Sequence, residues 1–171
     1  MRRTHTCGEL RDAHIGQTVI LNGWVNTYRD KGSLVFIDVR DRYGITQVVF
    51  EPDRRELLAQ AQELRDEYVV AVKGKVTPRL PGTENPTLST GKVEVKAEEL
   101  TILNKCPTPP FEVRAITKEE VRKKVEEDLA GEDLRLQYRF LDLRRASLQR
   151  TLILRHRLNS LGPRLLNMTR C

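Results

Sequence analysis

Apolar and polar positions alternate in short segments along the first half of the chain, and turn residues bound each segment, which is typical of β-strands. Three segments come first, at Thr18 to Asn26, Leu34 to Arg40 and Ile45 to Phe50. Residues 30–33 and 41–44 separate them, and each connection carries a glycine that suits a tight turn. The pattern predicts a three-stranded meander.

The apolar spacing then changes and predicts one short amphipathic helix. Its apolar residues, spaced by four, three and four, are Leu57, Ala61, Leu64 and Tyr68. This spacing places them on one side of a helix. Asp53 precedes Glu56 by three residues, so we expect Asp53 to cap the helix and Glu56 to complete a capping box.

Two more strands follow the helix, at Val69 to Val76 and Lys92 to Leu103. The segment between them, Thr77 to Gly91, carries three prolines and two glycines, which is typical of a loop. Three strands, a helix and two strands is the element order of the five-stranded OB-fold barrel. The sequence therefore predicts a mainly β protein with an OB-fold, although other small β-barrels fit the same pattern.

Helical patterns replace the strands after residue 104. Cys106 to Pro110 is a proline-rich spacer, Thr117 with Glu120 predicts a capped hinge helix, and Gly131 marks its end. A last amphipathic stretch follows, and we expect Gly162-Pro163 to interrupt it. The predicted organisation is an OB domain over 1–104, a hinge over 105–133 and a further segment over 134–171.

Net charge narrows the class of partner. The chain carries +6 overall, but residues 1–104 hold 15 basic and 15 acidic side chains, so the excess lies after residue 104. If the barrel binds nucleic acid, a local group of side chains must do so and not a global positive field.

No segment approaches the roughly 20 apolar residues of a membrane span, and no signal peptide is evident, so we expect a cytoplasmic protein without a membrane partner.

The spacing of the three cysteines, Cys7, Cys106 and Cys171, matches neither a disulfide framework nor a zinc half-site, so no metal site is predicted. The chain also contains no glycine-rich phosphate loop, no nucleophile elbow and no metal-binding histidine pair. We therefore predict no catalytic residue.

Alternation in the second predicted strand points to one candidate ligand contact. One face takes Val35, Ile37 and Val39, and the other takes Leu34, Phe36, Asp38 and Arg40. Phe36 thus lies among charged neighbours, where an aromatic ring can stack on a base. Packing of Phe36 under a loop or the chain terminus explains the pattern equally well.

Further polar residues fall near the same predicted face. The amide of Gln47 is unusual in an apolar strand, and it suits either a base edge or the backbone of an edge strand. Arg29 and Lys31 flank the first hairpin, where they can hold phosphates, although such charges usually serve solubility. A third group offers donors and an acceptor near the loop before the fifth strand: Arg79, Asn85 and Glu94.

Dispersed motifs along the chain identify a family. Gly23-Trp24-Val25, Arg29-Asp30, residues 36–41 and residues 44–48 closely resemble the anticodon-binding domain of bacterial-type aspartyl-tRNA synthetase, and residues 134–145 resemble the segment that leads into its class II catalytic domain. Lysyl- and asparaginyl-tRNA synthetases share the OB domain, but the hairpin at 38–44 resembles the aspartyl type.

The resemblance implies roles for individual residues. Phe36 would stack on the central anticodon uridine, Gln47 would read its edge and Arg29 would contact neighbouring nucleotides. Glu94 would help to recognise the first anticodon base, with Arg79 and Asn85 as helpers. Bacterial members carry three consecutive arginines before the hairpin aspartate where this chain has Thr27-Tyr28-Arg29, so Tyr28 would offer a stacking ring in place of a charge.

The same resemblance sets expectations for chemistry. The full-length family joins aspartate to tRNA with ATP and Mg²⁺ and forms homodimers, but this chain ends before the motifs that grip ATP. We therefore expect a truncated product that binds the anticodon loop of aspartate tRNA, needs no cofactor and is inactive as a ligase alone. A general single-stranded nucleic-acid binder is the alternative.

Overall fold

A computed structural model of the chain describes residues 1–113 and 130–168. The chain divides into two compact units, Met1–Pro109 and Pro110–Cys171. The first unit holds the strands β1 (Thr18–Asp30), β2 (Val35–Arg40), β3 (Ile45–Phe50), β4 (Val69–Pro78) and β5 (Val93–Asn104). It also holds helix α1 (Arg55–Gln62) and a 3-10 turn at Asp12–His14.

The five strands close into a barrel in the order β1-β2-β3-β5-β4. Neighbouring strands are antiparallel except β3 and β5, which pair in parallel. The long β1 serves two neighbours, since Thr18 to Trp24 pairs with β4 and Trp24 to Asp30 pairs with β2. Helix α1 lies between β3 and β4 in the chain, so the predicted OB-fold is confirmed.

The barrel interior forms the core, and the alternation within β2 shows how it is filled. Val35, Ile37 and Val39 are fully buried, as predicted, while Phe36 and Asp38 on the opposite face are partly exposed. Ala61 and Leu64, at and after the end of α1, join the same cluster of buried side chains. The outward face of β2 is therefore accessible to solvent at Phe36 and Asp38.

Two local predictions for this unit are wrong in detail. Strand β1 runs four residues beyond Asn26, because Tyr28, Arg29 and Asp30 pair with β2. The predicted cap at Asp53 does not form, since α1 begins at Arg55 and has no side-chain hydrogen bond at its N-cap. A turn in which the Arg54 N–H donates to the Glu51 carbonyl displaces the helix start beyond Asp53.

The second unit holds three helices among its described residues: α2 (Glu132–Gln137), α3 (Arg139–Asp142) and α4 (Ala146–Met168). The predicted break at Gly162-Pro163 is wrong, because α4 continues through both residues. A proline in a helix interior removes one backbone N–H donor, which is the reason that the sequence predicts an interruption there. The predicted hinge helix at Thr117 lies outside the described residues.

Within the described part of the chain, no helix has the length and apolar character of a membrane span.

Candidate nucleic-acid interface

A groove of about 550 Å³ lies on the outer face of the barrel. It crosses the end of β1, the start of β2, the middle of β3 and the start of β5, and the end of β4 with the loop after it lines one side. Five of the predicted contact residues line it, namely Arg29, Lys31, Phe36, Gln47 and Glu94. Five separate chain segments are thus required to build this groove.

Phe36 forms part of the apolar floor of the groove. It is half-buried, and its cross-strand partners are Arg29 on β1 and Val49 on β3. Its chain neighbours Val35 and Ile37 are fully buried on the other face. Phe36 therefore lies on the outer face of the sheet and lines the groove, where an aromatic ring can pack against a flat partner.

Three side chains from three strands form a hydrogen-bonded row beside Phe36. The Arg29 Nη2 donates to the Gln47 Oε1 at 3.2 Å, and the Gln47 Nε2 donates to the Glu94 Oε2 at 2.8 Å. Arg29 also pairs with the Asp38 carboxylate at 3.0 Å. These contacts bring together residues that are as many as 65 positions apart in the chain, from 29 to 94.

The row fixes how Gln47 presents its amide. The carbonyl of Gln47 turns toward Arg29 of β1, which can only donate, and its amino group turns toward the carboxylate oxygen of Glu94 on β5, which accepts from it. One lone pair and one N–H of the amide remain for a ligand. The partners of Gln47 are side chains and not the strand backbone, which was the alternative that the sequence left open.

Charged side chains complete the groove. Lys31 is exposed in the hairpin loop, and Lys96 bonds to Glu51 with 2.6 Å between Nζ and Oε1. That hydrogen bond raises the pKa of Lys96, so this side chain stays cationic. The sequence analysis missed Lys96 and Asp38, although each stands two residues along its strand from a predicted contact and therefore faces the same way.

Arg79 is a buried cation next to the groove. Only 8% of the residue is exposed, its Nε donates to the Val93 carbonyl at 3.2 Å, and its Nη2 meets no acceptor among the described residues. Burial lowers the pKa of Arg79, while the carboxylates of Asp38 and Glu94 oppose that shift. Glu94 lines the groove, so the buried guanidinium of Arg79 acts electrostatically on the same region.

Asn85 is not part of the groove. It lines a second cavity of about 710 Å³, which lies between the N-terminal segment and the loop before β5 and which Arg79 also borders. The Asn85 Oδ1 accepts from the backbone N–H of Thr87 at 3.0 Å and from its hydroxyl at 2.6 Å. The side chain thus stabilises its own loop in this conformation.

Tyr28 faces away from the groove. It pairs with Ile37 on the core side of the sheet and packs against the buried cluster. Its hydroxyl donates to Asp30 at 3.4 Å, and burial, with the Asp30 charge second, raises the pKa of Tyr28. The predicted stacking ring at Tyr28 does not fit this placement.

Among residues 1–113 and 130–168, no cluster of three or more histidine, cysteine or acidic side chains is arranged to hold a metal.

Comparison with known proteins agrees with the fold. Residues 19–103 match the family of OB-fold nucleic acid binding domains. An aspartate–tRNA(Asp/Asn) ligase from Magnetococcus marinus is 49% identical over 92% of this chain, but the match covers 24% of that protein. The chain spans about a quarter of the length of the curated relatives it matches.

Solved structures show the same architecture. The asparaginyl-tRNA synthetase of Pyrococcus horikoshii, complexed with asparaginyl-adenylate, has a TM-score of 0.64 at 27% identity and covers 85% of this chain and 30% of its own. An aspartyl tRNA synthetase from Entamoeba histolytica has a TM-score of 0.84 and covers 98% of this chain and 38% of its own. At 19% identity, the second likeness concerns the fold alone.

Proposed function

Residues 19–103 of this chain belong to the family of OB-fold nucleic acid binding domains, in the form found in aspartyl-tRNA synthetases, and on that premise we propose that the groove binds the anticodon loop of aspartate tRNA. The observation that carries the proposal is the row Arg29, Gln47 and Glu94 beside the half-buried ring of Phe36. A stacking surface next to oriented donors and acceptors suits an unpaired base.

Each groove residue has a distinct role in the proposal. Phe36 stacks on the central base of the anticodon, and Gln47 reads its edge with the lone pair and N–H that Arg29 and Glu94 leave open. Arg29 and Lys31 contact neighbouring phosphates. Glu94 accepts from the first anticodon base, and the buried guanidinium of Arg79 lies next to the groove.

The charge distribution favours selective over general binding. Residues 1–104 carry no net charge, and affinity without sequence preference comes mainly from phosphate contacts. A general single-stranded nucleic-acid binder would gain little from such a surface. The row of oriented polar groups matters more for choosing a base than for holding a backbone.

The proposal assigns RNA recognition to this chain in the cytoplasm. Joining aspartate to tRNA with ATP and Mg²⁺, and homodimer formation, are activities that we attach to full-length ligases of the family. We propose the domain limits 1–104, 105–133 and 134–171 for the OB domain, the hinge and the start of the catalytic domain. In this proposal the hinge over 105–133 joins the RNA-binding domain to the start of the catalytic domain.

A binding-site measurement tests the proposal directly. The ¹⁵N-labelled full chain is titrated with an anticodon stem-loop of aspartate tRNA, and backbone amide shifts are followed by NMR. Amides of Phe36, Gln47 and Glu94 are expected to shift, while those of the outward face of α1 stay unchanged. Shifts confined to α1 or to the basic helix α4, or no shifts at all, would exclude the groove as the binding site.

A further inference from the structure

The alternation of side chains between the two faces of β1 shifts by one residue at Asn26. Val25 pairs with Val39 and Thr27 pairs with Asp38, so Asn26 has no partner on β2 and forms a β-bulge. Side chains in a regular strand alternate between its two faces. From the buried Val25, unbroken alternation would send Arg29 into the core, whereas one extra residue turns it outward, opposite Phe36.

A buried hydrogen-bonded unit holds this bulge. The Nη1 of Arg40 donates to the Asn26 Oδ1 at 2.7 Å, and the Nη2 donates to the Glu67 Oε1 at 2.7 Å. Asn26, Arg40 and Glu67 are each at most 8% exposed. The alternation predicts an exposed Arg40, on the same face of β2 as Phe36, and this expectation is wrong because Arg40 is buried against Glu67 of the segment before β4.

The backbone of the same segment is bonded to the residue before the bulge. The Glu67 N–H donates to the Val25 carbonyl at 2.7 Å, and the Val25 N–H donates to the Tyr68 carbonyl at 2.9 Å. Glu67 has a φ of 66°, a left-handed conformation that a residue with a side chain seldom adopts. The Asn26 amide is thus held by the Arg40 guanidinium, which is itself bonded to Glu67, and two backbone hydrogen bonds hold the adjacent Val25. Together these contacts fix the position of Asn26 between β1 and β2.

We propose that Asn26 and Arg40 are positioning residues for RNA recognition, because the bulge they hold turns Arg29 into the groove. This inference rests on the proposed function. Neither residue lines the groove, and Arg29 is the link, since its guanidinium bonds to both Asp38 and Gln47. Loosening the bulge changes the direction of Arg29 and, through it, the presentation of the Gln47 amide.

The first test needs no RNA. The side-chain amide resonances of Gln47 are recorded in the full chain for the parent, for Asn26→Leu, which removes the acceptor for Arg40, and for Asn26→Asp, which keeps it. We expect Asn26→Leu to move these resonances and Asn26→Asp to leave them near the parent. Asn22→Leu is the matched control, because Asn22 lies on the same strand opposite Ala71 of β4. Unmoved Gln47 resonances in Asn26→Leu would overturn the inference.

A double-mutant cycle gives the second test. Asn26→Leu should weaken binding of the anticodon stem-loop about tenfold in the parent and less than about twofold in an Arg29→Ala background, because contacts that act as one unit are not additive. Equal losses in both backgrounds would overturn the positioning role. If Asn26→Leu fails to fold, Arg40→Lys takes its place in both tests. Lysine keeps the positive charge but lacks the planar guanidinium that bonds to Asn26 and Glu67 at once.

The two proposals fail differently. If the parent chain shows no selectivity for the native loop, the proposed function fails, while the resonance test still judges the bulge. If the parent is selective and the cycle is additive, only the positioning role is lost.

Discussion

The side-chain amide of Gln47 donates to the carboxylate of Glu94, with 2.8 Å between Nε2 and Oε2, across the parallel pair β3 and β5. On its other side the same amide accepts from Arg29 of β1. One polar side chain on the outer surface of the barrel is thus oriented by two others from distant parts of the chain. A base-reading group that is oriented before binding loses less freedom when the ligand arrives.

Removing the Gln47 amide should lower selectivity more than affinity. Gln47→Leu keeps a side chain of similar size but loses the groups that read a base edge. We expect the preference for the native central uridine to fall about tenfold, because a site built to hydrogen-bond discriminates mainly through those bonds. Affinities for stem-loops that differ only at that base measure the effect. Gln62→Leu, on α1, is the control, and equal selectivity in both variants would refute the role.

Removing one partner of the buried ion pair Arg40–Glu67 should destabilise the barrel. Glu67→Ala leaves the Arg40 charge buried without its carboxylate, which is 2.7 Å away in the parent. Breaking such a pair lowers the free energy of unfolding by about 3 to 5 kcal/mol. Urea unfolding of the full chain measures this, with the exposed Glu56→Ala as control. A loss below about 1 kcal/mol would show that the pair is not effectively buried.

Gly8 should tolerate no side chain. A Cβ at Gly8 would lie 2.2 Å from the carbonyl oxygen of Tyr43, so Gly8→Ala must move the N-terminal segment away from the hairpin after β2. We expect a loss of at least about 2 kcal/mol in the free energy of unfolding. At Gly131 a Cβ would meet nothing within 4 Å, so Gly131→Ala is the comparison. Similar losses for both variants would contradict the predicted close contact.

Cys7 should resist alkylation in the native chain. Burial, with the nearby Asp41 charge second, raises the pKa of the Cys7 thiol, so the reactive thiolate is scarce even in mildly alkaline solution. At about pH 8.5, the ordinary thiol pKa, iodoacetamide should label the half-buried Cys106 and spare Cys7 until denaturant is added. Peptide mass spectrometry distinguishes the sites. Rapid labelling of native Cys7 would contradict its burial.

The strands and the groove residues could be predicted to different degrees. Val35, Ile37 and Val39 alternate with polar residues within one strand, so their burial follows from local pattern alone. The same pattern placed Phe36 on the outer face. It could not place Arg40, because the group that covers it is Glu67, which is 27 residues away in the chain.

The bulge at Asn26 explains why the two residues after Thr27 were harder to assign. A bulge depends on how two strands pair, and Asn26 carries no local signal that it lacks a partner. Without that knowledge Tyr28 and Arg29 were both candidates for the same surface. Only the pairing with Ile37 and Phe36 separates the core-facing ring from the guanidinium in the groove.

The central claim is that the groove around Phe36 reads an anticodon base, and binding of the full chain to an aspartate-tRNA anticodon stem-loop at fixed salt tests it most directly. The native loop is compared with one whose central uridine is replaced, for the parent, for Phe36→Ala and for the control Phe140→Ala, whose ring is exposed on α3. We expect the base change and Phe36→Ala each to weaken binding about tenfold or more, since stacking contributes about 1 to 3 kcal/mol per base, and Phe140→Ala to have little effect. Equal, salt-sensitive affinity for both loops, unchanged by Phe36→Ala, would contradict the account.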